Sequence, residues 1–191
     1  MKTTTAQVQS YATTIFEPGD VVEIRAVRKQ QARKRWCRAR DLTRLIPDLE
    51  RLNEQGFNIY VGVNPRKAEG LSGDVNVLLC RCLFADFDGV EPGDGCGVWE
   101  FIEPRIEAIG LPLPDLTVFS GHGCHAYWRL TEPIAVDQWR GIQARLIAAL
   151  QSDPACKNPE RFLRLAGFLN HKFAQPADAF LMFSREATPC Q

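Results

Sequence analysis

The chain has 191 residues, 45% of them hydrophobic and 24% charged, and its 23 lysines and arginines balance its 23 aspartates and glutamates. This composition is that of a globular protein and excludes a disordered, collagen-like or repeat chain. The sequence holds no apolar run of the roughly 20 residues that span a bilayer, and it begins without the apolar stretch of a secretion signal. We therefore expect a cytoplasmic protein with no membrane partner.

The seven cysteines are scattered, and no two have C-x-x-C spacing. An odd, scattered set argues against a disulfide framework or a closed zinc site. We expect reduced thiols that pack as small hydrophobes.

The chain begins with a polar, threonine-rich stretch over residues 1–15, which predicts a flexible N-terminal arm. Residues 16–191 are then expected to form a single domain of two apposed lobes. The run from Val21 to Arg25 predicts a short strand.

A basic segment follows over residues 25–44, where nine lysines and arginines crowd together. The segment fits either a solvated loop and helix start or a patch that contacts phosphates, with Trp36 stacking on a base. Because basic residues are concentrated here, the zero net charge does not exclude a nucleic-acid partner.

The other elements follow from hydrophobic periodicity, capping residues and turn signals. The first of them are a helix capped by Asp41, bent or delayed by Pro47 and closed by Gly56, and strands over 57–63 and 75–87. After a loop over 91–97 comes a helix from Val98 to Gly110, whose start Pro104 delays. A hairpin of strands 116–120 and 124–130, a helix capped by Asp137 and a last strand over 179–183 complete the chain. This mixture of strands and helices predicts an α+β two-layer fold.

Two aspartates, Asp86 and Asp88, stand near the end of the second long strand. Residues at i and i+2 of a strand share a face, so the carboxylates repel each other unless a cation lies between them. Mg²⁺ prefers such oxygen ligands and often completes its coordination with substrate phosphates. The same residues also suit a simple turn.

A glycine-bracketed turn follows the first strand of the hairpin, and two of the three histidines, His122 and His125, lie in or next to it. Backbone N–H groups in such a turn form a concavity that holds phosphate oxygens. Ser120 adds a hydroxyl beside it.

The third cluster spans residues 152–172. Asp153 follows a predicted helix, and Arg161 and Arg164 are spaced one helical turn apart, so both arginines can face one anion. Asn170 and Lys172 add polar donors. A surface helix end with scattered charges is the alternative interpretation.

Together the three clusters predict a metal-dependent site for a nucleotide phosphate. Asp86, Asp88 and Asp153 would hold two divalent ions, Mg²⁺ or Mn²⁺, and would do so beside the groups that neutralise a triphosphate.

The order of these motifs, DxD, then SGxGxHxYW, then D with RxLRLxGxxNxK, resembles the archaeo-eukaryotic primase superfamily. It is most similar to the primase-polymerase branch of plasmids, phages and other mobile elements. The stretch Asn58–Arg66 (NIYVGVNPR) resembles the strand and loop that precede DxD in that branch, and the resemblance covers roughly residues 15–175. The chain departs from the family pattern RLPGT, because Leu165-Ala166-Gly167-Phe168 follows Arg164.

The resemblance implies an RRM-like catalytic sheet joined to a smaller α/β unit, with the active site in the cleft between them. It implies a template-dependent nucleotidyltransferase, a DNA primase and polymerase that makes and extends primers on single-stranded DNA. Nucleoside triphosphates, the DNA template and a replicative helicase, in this chain or another, are the expected partners.

The expected site residues fall into three groups. The catalytic group is Asp86, Asp88, Asp153 and His125, of which the three aspartates bind metal. The nucleotide-binding group is Ser120, His122, Gly123, His125, Arg161, Arg164 and Lys172. The nucleic-acid-binding group is Arg33, Lys34, Arg35, Trp36, Asn64, Arg66 and Asn170.

Two other functions remain as alternatives. A rolling-circle initiator nuclease also uses an RRM-like sheet, but it needs two histidines at i and i+2 and a tyrosine nucleophile. Here His122 and His125 are three residues apart and Tyr127 lies on the same strand. The second alternative is a module that binds nucleotide or nucleic acid and has lost catalysis. The presence of all three carboxylates argues against it.

Overall fold

The computed structural model describes residues 3–89 and 96–184, so most of the predicted 91–97 loop lies outside the described residues. Within them the helices are α1 (Thr4–Ile15), α2 (Ile46–Glu54), α3 (Cys96–Ala108) and α4 (Val136–Leu150). The strands are β1 (Val21–Arg28), β2 (Gln31–Arg38), β3 (Asn58–Gly62), β4 (Cys80–Asp88), β5 (Leu116–Phe119), β6 (Gly123–Ile134), β7 (Phe162–Arg164), β8 (Leu169–Asn170), β9 (Ala177–Asp178) and β10 (Phe180–Ser184). Short 3₁₀ helices cover Ala39–Leu45, Asp74–Asn76 and Pro154–Lys157. Antiparallel sheets combined with helices confirm the predicted α+β class.

The first sheet has the order β2-β1-β3-β7 and takes its last strand from the C-terminal half of the chain. Tyr60 on β3 lies opposite Arg164 on β7. One face of this sheet is apolar and buries Ile24, Val61 and Leu163. The opposite face is polar and leads to the site described below.

The second sheet has the order β10-β5-β6-β4, which places the DxD strand at an edge. Its elements β4, α3, β5, β6, α4 and β10 follow one another as β-α-β-β-α-β, the element order of RRM-like units, with β7 to β9 inserted before the last strand. Side chains of α4 bond to the outer edge of β4. Gln143 Oε1 accepts from the Phe84 N–H at 3.2 Å, and Gln143 Nε2 donates to the Phe84 carbonyl at 2.6 Å. Trp139 donates to the carbonyl of Cys82 at 2.9 Å. These bonds hold the strand that carries the aspartates.

The flexible arm predicted for residues 1–15 is wrong from Thr4 onward, because α1 packs into the core. Its buried residues Val8, Tyr11, Ala12 and Ile15 have the spacing of one helical face. Tyr11 lies edge-on to Tyr127 of the second sheet, with ring centroids 5.6 Å apart. The polar residues between these positions conceal an amphipathic helix.

Several other local predictions need correction. The basic segment begins in β1, forms all of β2 and ends in the 3₁₀ helix Ala39–Leu45, where a loop and helix start were expected. Strand β2 lacks hydrophobic alternation because it is a largely exposed edge strand. Asp41 lies in a 3₁₀ helix and pairs with Arg44 at 2.9 Å, whereas α2 begins at Ile46 with Pro47 in its first turn. Proline is tolerated there because the first N–H groups of a helix have no internal partner.

The two later helices also begin differently from the prediction. α3 begins before Pro104 and contains it. The N-cap of α4 is Ala135, and Asp137 lies within the first turn, where its negative charge favours the helix dipole.

Candidate active site

A pocket of about 290 Å³ is lined by residues from both sheets and from the loops beside them. The lining residues are Tyr60, Asp86, Asp88, Ser120, His122, His125, Asp153, Arg161, Phe162, Leu163, Arg164, Asn170 and Lys172. All three predicted clusters therefore meet in one place, although they are separated in sequence. Three of the lining residues, Tyr60, Phe162 and Leu163, are not among those expected from the sequence.

The three predicted metal-binding carboxylates line this pocket, but they differ in environment. Asp86 is half-buried on β4, and Asp88 is exposed at the end of the same strand. Asp153 precedes a 3₁₀ helix and accepts a hydrogen bond from the N–H of Ala155 at 2.9 Å. Its own N–H donates to the carbonyl of Asp86 at 2.9 Å, which ties this loop to the DxD strand.

The charge around Asp86 favours binding of a cation. Burial, and next the negative charge of Asp88, raise the pKa of Asp86 to about 7. Ligand atoms of Asp86, Asp153 and Cys156 lie within 4.8 Å of one another. Burial raises the pKa of the Cys156 thiol to about 12, so it stays protonated and ligates a hard ion poorly. The oxygen donors therefore fit Mg²⁺ or Mn²⁺, and the thiol does not add to them.

His125 is almost completely buried beside Asp86, with Nε2 3.7 Å from the Asp86 Oδ1 atom. Burial, and next the positive charges of Arg164 and Arg161, lower the pKa of His125 to about 3. The imidazole is therefore neutral at physiological pH and offers one N–H donor and one acceptor. Its Nδ1 atom is buried and has no hydrogen-bond partner in the part of the chain that the structure describes.

Arg161, Arg164 and Lys172 supply three positive charges to the pocket. The predicted helical turn under the two arginines is wrong, because Arg161 lies in a turn and Arg164 on β7. Arg164 is buried and donates to Asn58 Oδ1 at 2.7 Å and to the Tyr60 hydroxyl at 3.2 Å. Strand β7 therefore places the Arg164 side chain in the pocket, where a helix was expected to place it.

Arg161 pairs with one of the three carboxylates, Asp153. Its Nη2 atom donates to Asp153 Oδ2 at 3.0 Å and its Nη1 atom to the carbonyl of Ala155 at 3.2 Å. Its Nε atom is buried without a hydrogen-bond partner among the described residues. It is therefore placed to contact both the acidic cluster and an anion bound in the pocket.

The glycine turn lies at the rim of the pocket, which Ser120 and His122 line. Its conformation is fixed by Gly121, whose φ of 98° favours glycine. Asn170 Nδ2 donates to the carbonyl of Ser120 at 2.8 Å, which joins the turn to β8. The ring of His122 lies against the exposed ring of Phe173, with centroids 3.9 Å apart.

Gly123, predicted to bind nucleotide, does not line the pocket and has a packing role. It lies opposite Asp88 in the β4–β6 pair, and a Cβ atom there would lie 2.3 Å from the Phe87 carbonyl oxygen. Only glycine permits this close approach of the two backbones.

We expect Gly123→Ala to lower the free energy of unfolding by about 1–3 kcal/mol, because the strands that carry Asp88 and the turn must separate. Gly141→Ala is the matched control, since Gly141 is exposed in the interior of α4 with nothing within 4 Å of an added Cβ. That substitution should raise stability by about 0.5–1 kcal/mol. Urea denaturation of both variants checks this, and equal stability of the two would contradict it.

Asn64 and Arg66, predicted to bind nucleic acid, are completely buried, so this prediction is wrong. Arg66 Nε donates to Glu23 Oε2 at 2.9 Å, and both side chains are fully excluded from solvent. Asn64 Nδ2 donates to the carbonyl of Pro159 at 3.1 Å. Both residues hold neighbouring segments of the chain rather than a ligand.

The basic segment divides between the two faces of the first sheet. Directly opposite residues of antiparallel strands share a face, so Lys34 lies on the face of Arg25, Tyr60 and Arg164. This row of four residues, one from each strand, ends at the pocket. Two residues further along β2, Trp36 lies on the same face.

Arg33 and Arg35 lie on the other face of β2. Arg35 pairs with Asp48 of α2 at 2.9 Å. The guanidinium carbon of Arg33 lies 5.9 Å from the centroid of the Phe57 ring. Neither of these arginines therefore lies on the face of the first sheet that leads to the pocket.

Tyr127, the nucleophile that a rolling-circle nuclease would need, is completely buried. Burial raises its pKa well above the ordinary value for tyrosine. Its hydroxyl is therefore not available to attack a phosphate.

Three solved structures superpose on nearly the whole chain. The primase-polymerase domain of cyanophage S-2L is 25% identical, with a TM-score of 0.69 over 92% of this chain and 88% of that one. The primase RepB' is 21% identical, with a TM-score of 0.70 over 97% of this chain and 58% of that longer one. The catalytic domain of RepB' in complex with initiator DNA is 22% identical, with a TM-score of 0.71 over 98% and 88%. No protein-family model and no curated protein matches the sequence.

The fold is therefore that of the archaeo-eukaryotic primase superfamily, which confirms the resemblance drawn from the motifs. The structures compared above are a primase-polymerase domain of a phage and the primase RepB'. They support a function of the DNA primase and polymerase type. None of the helices that the structure describes is long and apolar enough to cross a bilayer.

Proposed function

We propose that this chain is a template-dependent nucleotidyltransferase that makes and extends primers on single-stranded DNA. The observation that carries the proposal is a single pocket, on a primase-polymerase fold, that holds three carboxylates and three cations. A nucleoside triphosphate with its divalent ions has the complementary charges. Its replication context would be a plasmid, phage or other mobile element, with a replicative helicase as a further partner.

In this proposal Asp86, Asp88 and Asp153 hold two divalent ions, Mg²⁺ or Mn²⁺. Such ions, when bound, lower the pKa of an attacking hydroxyl and stabilise a leaving pyrophosphate. Burial, and next the negative charge of Asp88, raise the pKa of Asp86 to about 7, and this supports the assignment because a bound cation would stabilise the charged carboxylate.

The triphosphate would lie against Arg161, Arg164 and Lys172. Arg164 is held by Asn58 and Tyr60 before any ligand arrives, so little rotamer freedom is lost when it binds an anion. The neutral His125 can donate one hydrogen bond to a phosphate oxygen, and Ser120 and His122 border the same space. These groups position and neutralise the nucleotide, which is the main contribution that a protein makes to phosphoryl transfer.

The DNA template would approach along the polar face of the first sheet. Lys34 offers a cation to the phosphates and Trp36 an aromatic surface to a base. Asn170 is buried and bonds to the Ser120 carbonyl and the Lys172 N–H, so it would hold the glycine turn beside the template. The RepB' catalytic domain binds initiator DNA, which supports DNA as the partner. Arg33 and Arg35, on the opposite face, would not contact a strand on this path.

The decisive experiment incubates the protein with a single-stranded DNA template, labelled ribo- or deoxynucleotides, and Mg²⁺ or Mn²⁺. We expect products whose length is limited by the template, and we expect none when the template is omitted or the ions are chelated. Reactions with and without a supplied primer separate initiation from extension. Template-independent products, or nucleotide binding with no incorporation under any of these conditions, would overturn the proposal.

A further inference from the structure

The segment of residues 159–161, which brings Arg161 to the pocket, has little regular structure of its own. Almost all of its backbone polar groups bond instead to residues 63–74. Asn64 donates to the Pro159 carbonyl at 3.1 Å, and the Val63 N–H donates to the Arg161 carbonyl at 3.0 Å. The segment is thus held from outside rather than by a helix or sheet of its own.

Glu160 makes three contacts with residues 63–74, besides an ion pair with Arg25 at 2.6 Å. Its carbonyl accepts from Arg66 Nη2 at 3.2 Å, and its N–H donates to Asp74 Oδ1 at 3.1 Å. Its side-chain Oε1 atom accepts from the Gly73 N–H at 2.7 Å. The residue that precedes Arg161 therefore has little freedom to rotate or shift.

The centre of this arrangement is the buried pair of Arg66 and Glu23. Room for the guanidinium depends on Gly62, where a Cβ atom would lie 2.5 Å from Arg66 Nη2. A buried ion pair contributes little net stability because both charges lose their hydration. Arg66 therefore matters here for the segments that it joins, through Glu23 and the carbonyls of Asn64 and Glu160.

We infer that residues 63–74 form a clamp that positions Arg161, and that Asn64, Arg66 and Asp74 act on nucleotide binding through that arginine. The inference rests on the proposed function, because it gives Arg161 a triphosphate to bind. It assigns a role to the NIYVGVNPR motif that replaces contact with nucleic acid. None of the three positioning residues lines the pocket.

Asp74 offers the sharpest test, because its two carboxylate oxygens have separate partners. Oδ1 accepts from the Glu160 N–H, whereas Oδ2 pairs with Arg140 at 2.9 Å on the surface. Asp74→Ala removes both contacts, Arg140→Ala removes only the surface pair, and Asp74→Asn keeps an oxygen for Glu160. Asp74 is about one-third exposed, so these variants should fold where changes at Arg66 threaten the core.

The experiment measures the dissociation constants of ATP and dATP with Mg²⁺, by calorimetry without a template, and checks folding by thermal midpoint. We expect Asp74→Ala to weaken binding about fivefold, the usual cost of one hydrogen bond. Arg140→Ala and Asp74→Asn should stay within about twofold of the wild type. In an Arg161→Ala background, Asp74→Ala should have no further effect, because the two residues act as one unit.

Three results would overturn the inference: unchanged binding by Asp74→Ala, an equal loss in Arg140→Ala, or a loss that persists without Arg161. A wild-type protein that binds neither nucleotide would overturn the proposed function, and the inference with it. Binding without incorporation into primers would remove the proposed function as a polymerase and leave the clamp to be decided by the variants.

Discussion

Replacing Asp86 with asparagine should lower nucleotide incorporation about a thousandfold or more, while it makes the ion-free protein more stable at pH 8. The loss of activity follows from removing a carboxylate that we assign to the divalent ions and their charge stabilisation. The gain in stability follows from the environment of Asp86, where burial and the charge of Asp88 raise the pKa to about 7.

The sign of the pH effect is determined by this raised pKa. The unfolded chain has an aspartate pKa of about 4, so the protonated native carboxyl favours folding below that pH. This contribution is lost progressively as pH rises from about 4 through about 7, and above that range the native state carries an unfavourable charge. The amide that replaces the carboxyl in the variant carries no charge at any pH. The advantage of the variant should therefore grow from near zero at pH 4 to at most about 4 kcal/mol at pH 8.

Thermal and urea unfolding at several pH values, with and without Mg²⁺, measure this effect beside the incorporation assay. Mg²⁺ should raise the midpoint of the wild type more than that of the Asp86→Asn variant. Glu132→Gln is the control, since Glu132 is an exposed carboxylate on β6 outside the pocket. An active Asp86→Asn variant, or one whose stability relative to wild type does not change with pH, would contradict the assignment.

Replacing Arg66 with methionine should lower the free energy of unfolding by about 3–5 kcal/mol, because it leaves Glu23 buried without its main partner. Burial raises the pKa of Glu23, but hydrogen bonds from Arg66, Ser72 and Arg25 outweigh it and hold that pKa below its ordinary value. Loss of the guanidinium should therefore raise the Glu23 pKa and make the variant relatively more stable in acid than at neutral pH.

The matched comparison is the double variant Glu23→Leu/Arg66→Met, which removes both charges together. It should recover much of the lost stability, since replacing a buried pair by apolar groups is often neutral. Urea denaturation of the wild type, both single variants and the double variant gives the coupling energy. A loss below about 1 kcal/mol in Arg66→Met would show that the pair is not the centre of this network.

The residues that line the pocket are more predictable from the sequence than the elements that carry them. Asp86 and Asp88 could be placed together because strand side chains alternate at short range. Arg161 and Arg164 line the pocket from a turn and a strand rather than from the expected helix, since charge and spacing alone do not distinguish a helical turn from a turn before a strand. Tyr60 was missed because an aromatic residue in an apolar strand has the same pattern whether it faces a core or a pocket.

Asn64 and Arg66 show a limit of a different kind. A polar residue in a loop has the same local sequence whether its partner is a phosphate or a carboxylate elsewhere in the chain. The partner of Arg66 is Glu23, which lies 43 positions away on β1. A signal was present, since a glutamate between Val22 and Ile24 in a β-branched strand needs a buried cation. The case of α1 is different, because its apolar residues have helical spacing in the sequence itself. The polar residues between them give the segment the overall composition of a flexible arm.

The pairing of β7 with β3 has a consequence for the modularity of this chain. The first sheet gets its fourth strand from residues 162–164, and the core of the second sheet receives Tyr11 from the first helix. Each half of the chain therefore contributes a residue or strand to the core of the other. A cut near residue 78 would leave two incomplete fragments, so a fusion protein needs both halves in one unbroken chain.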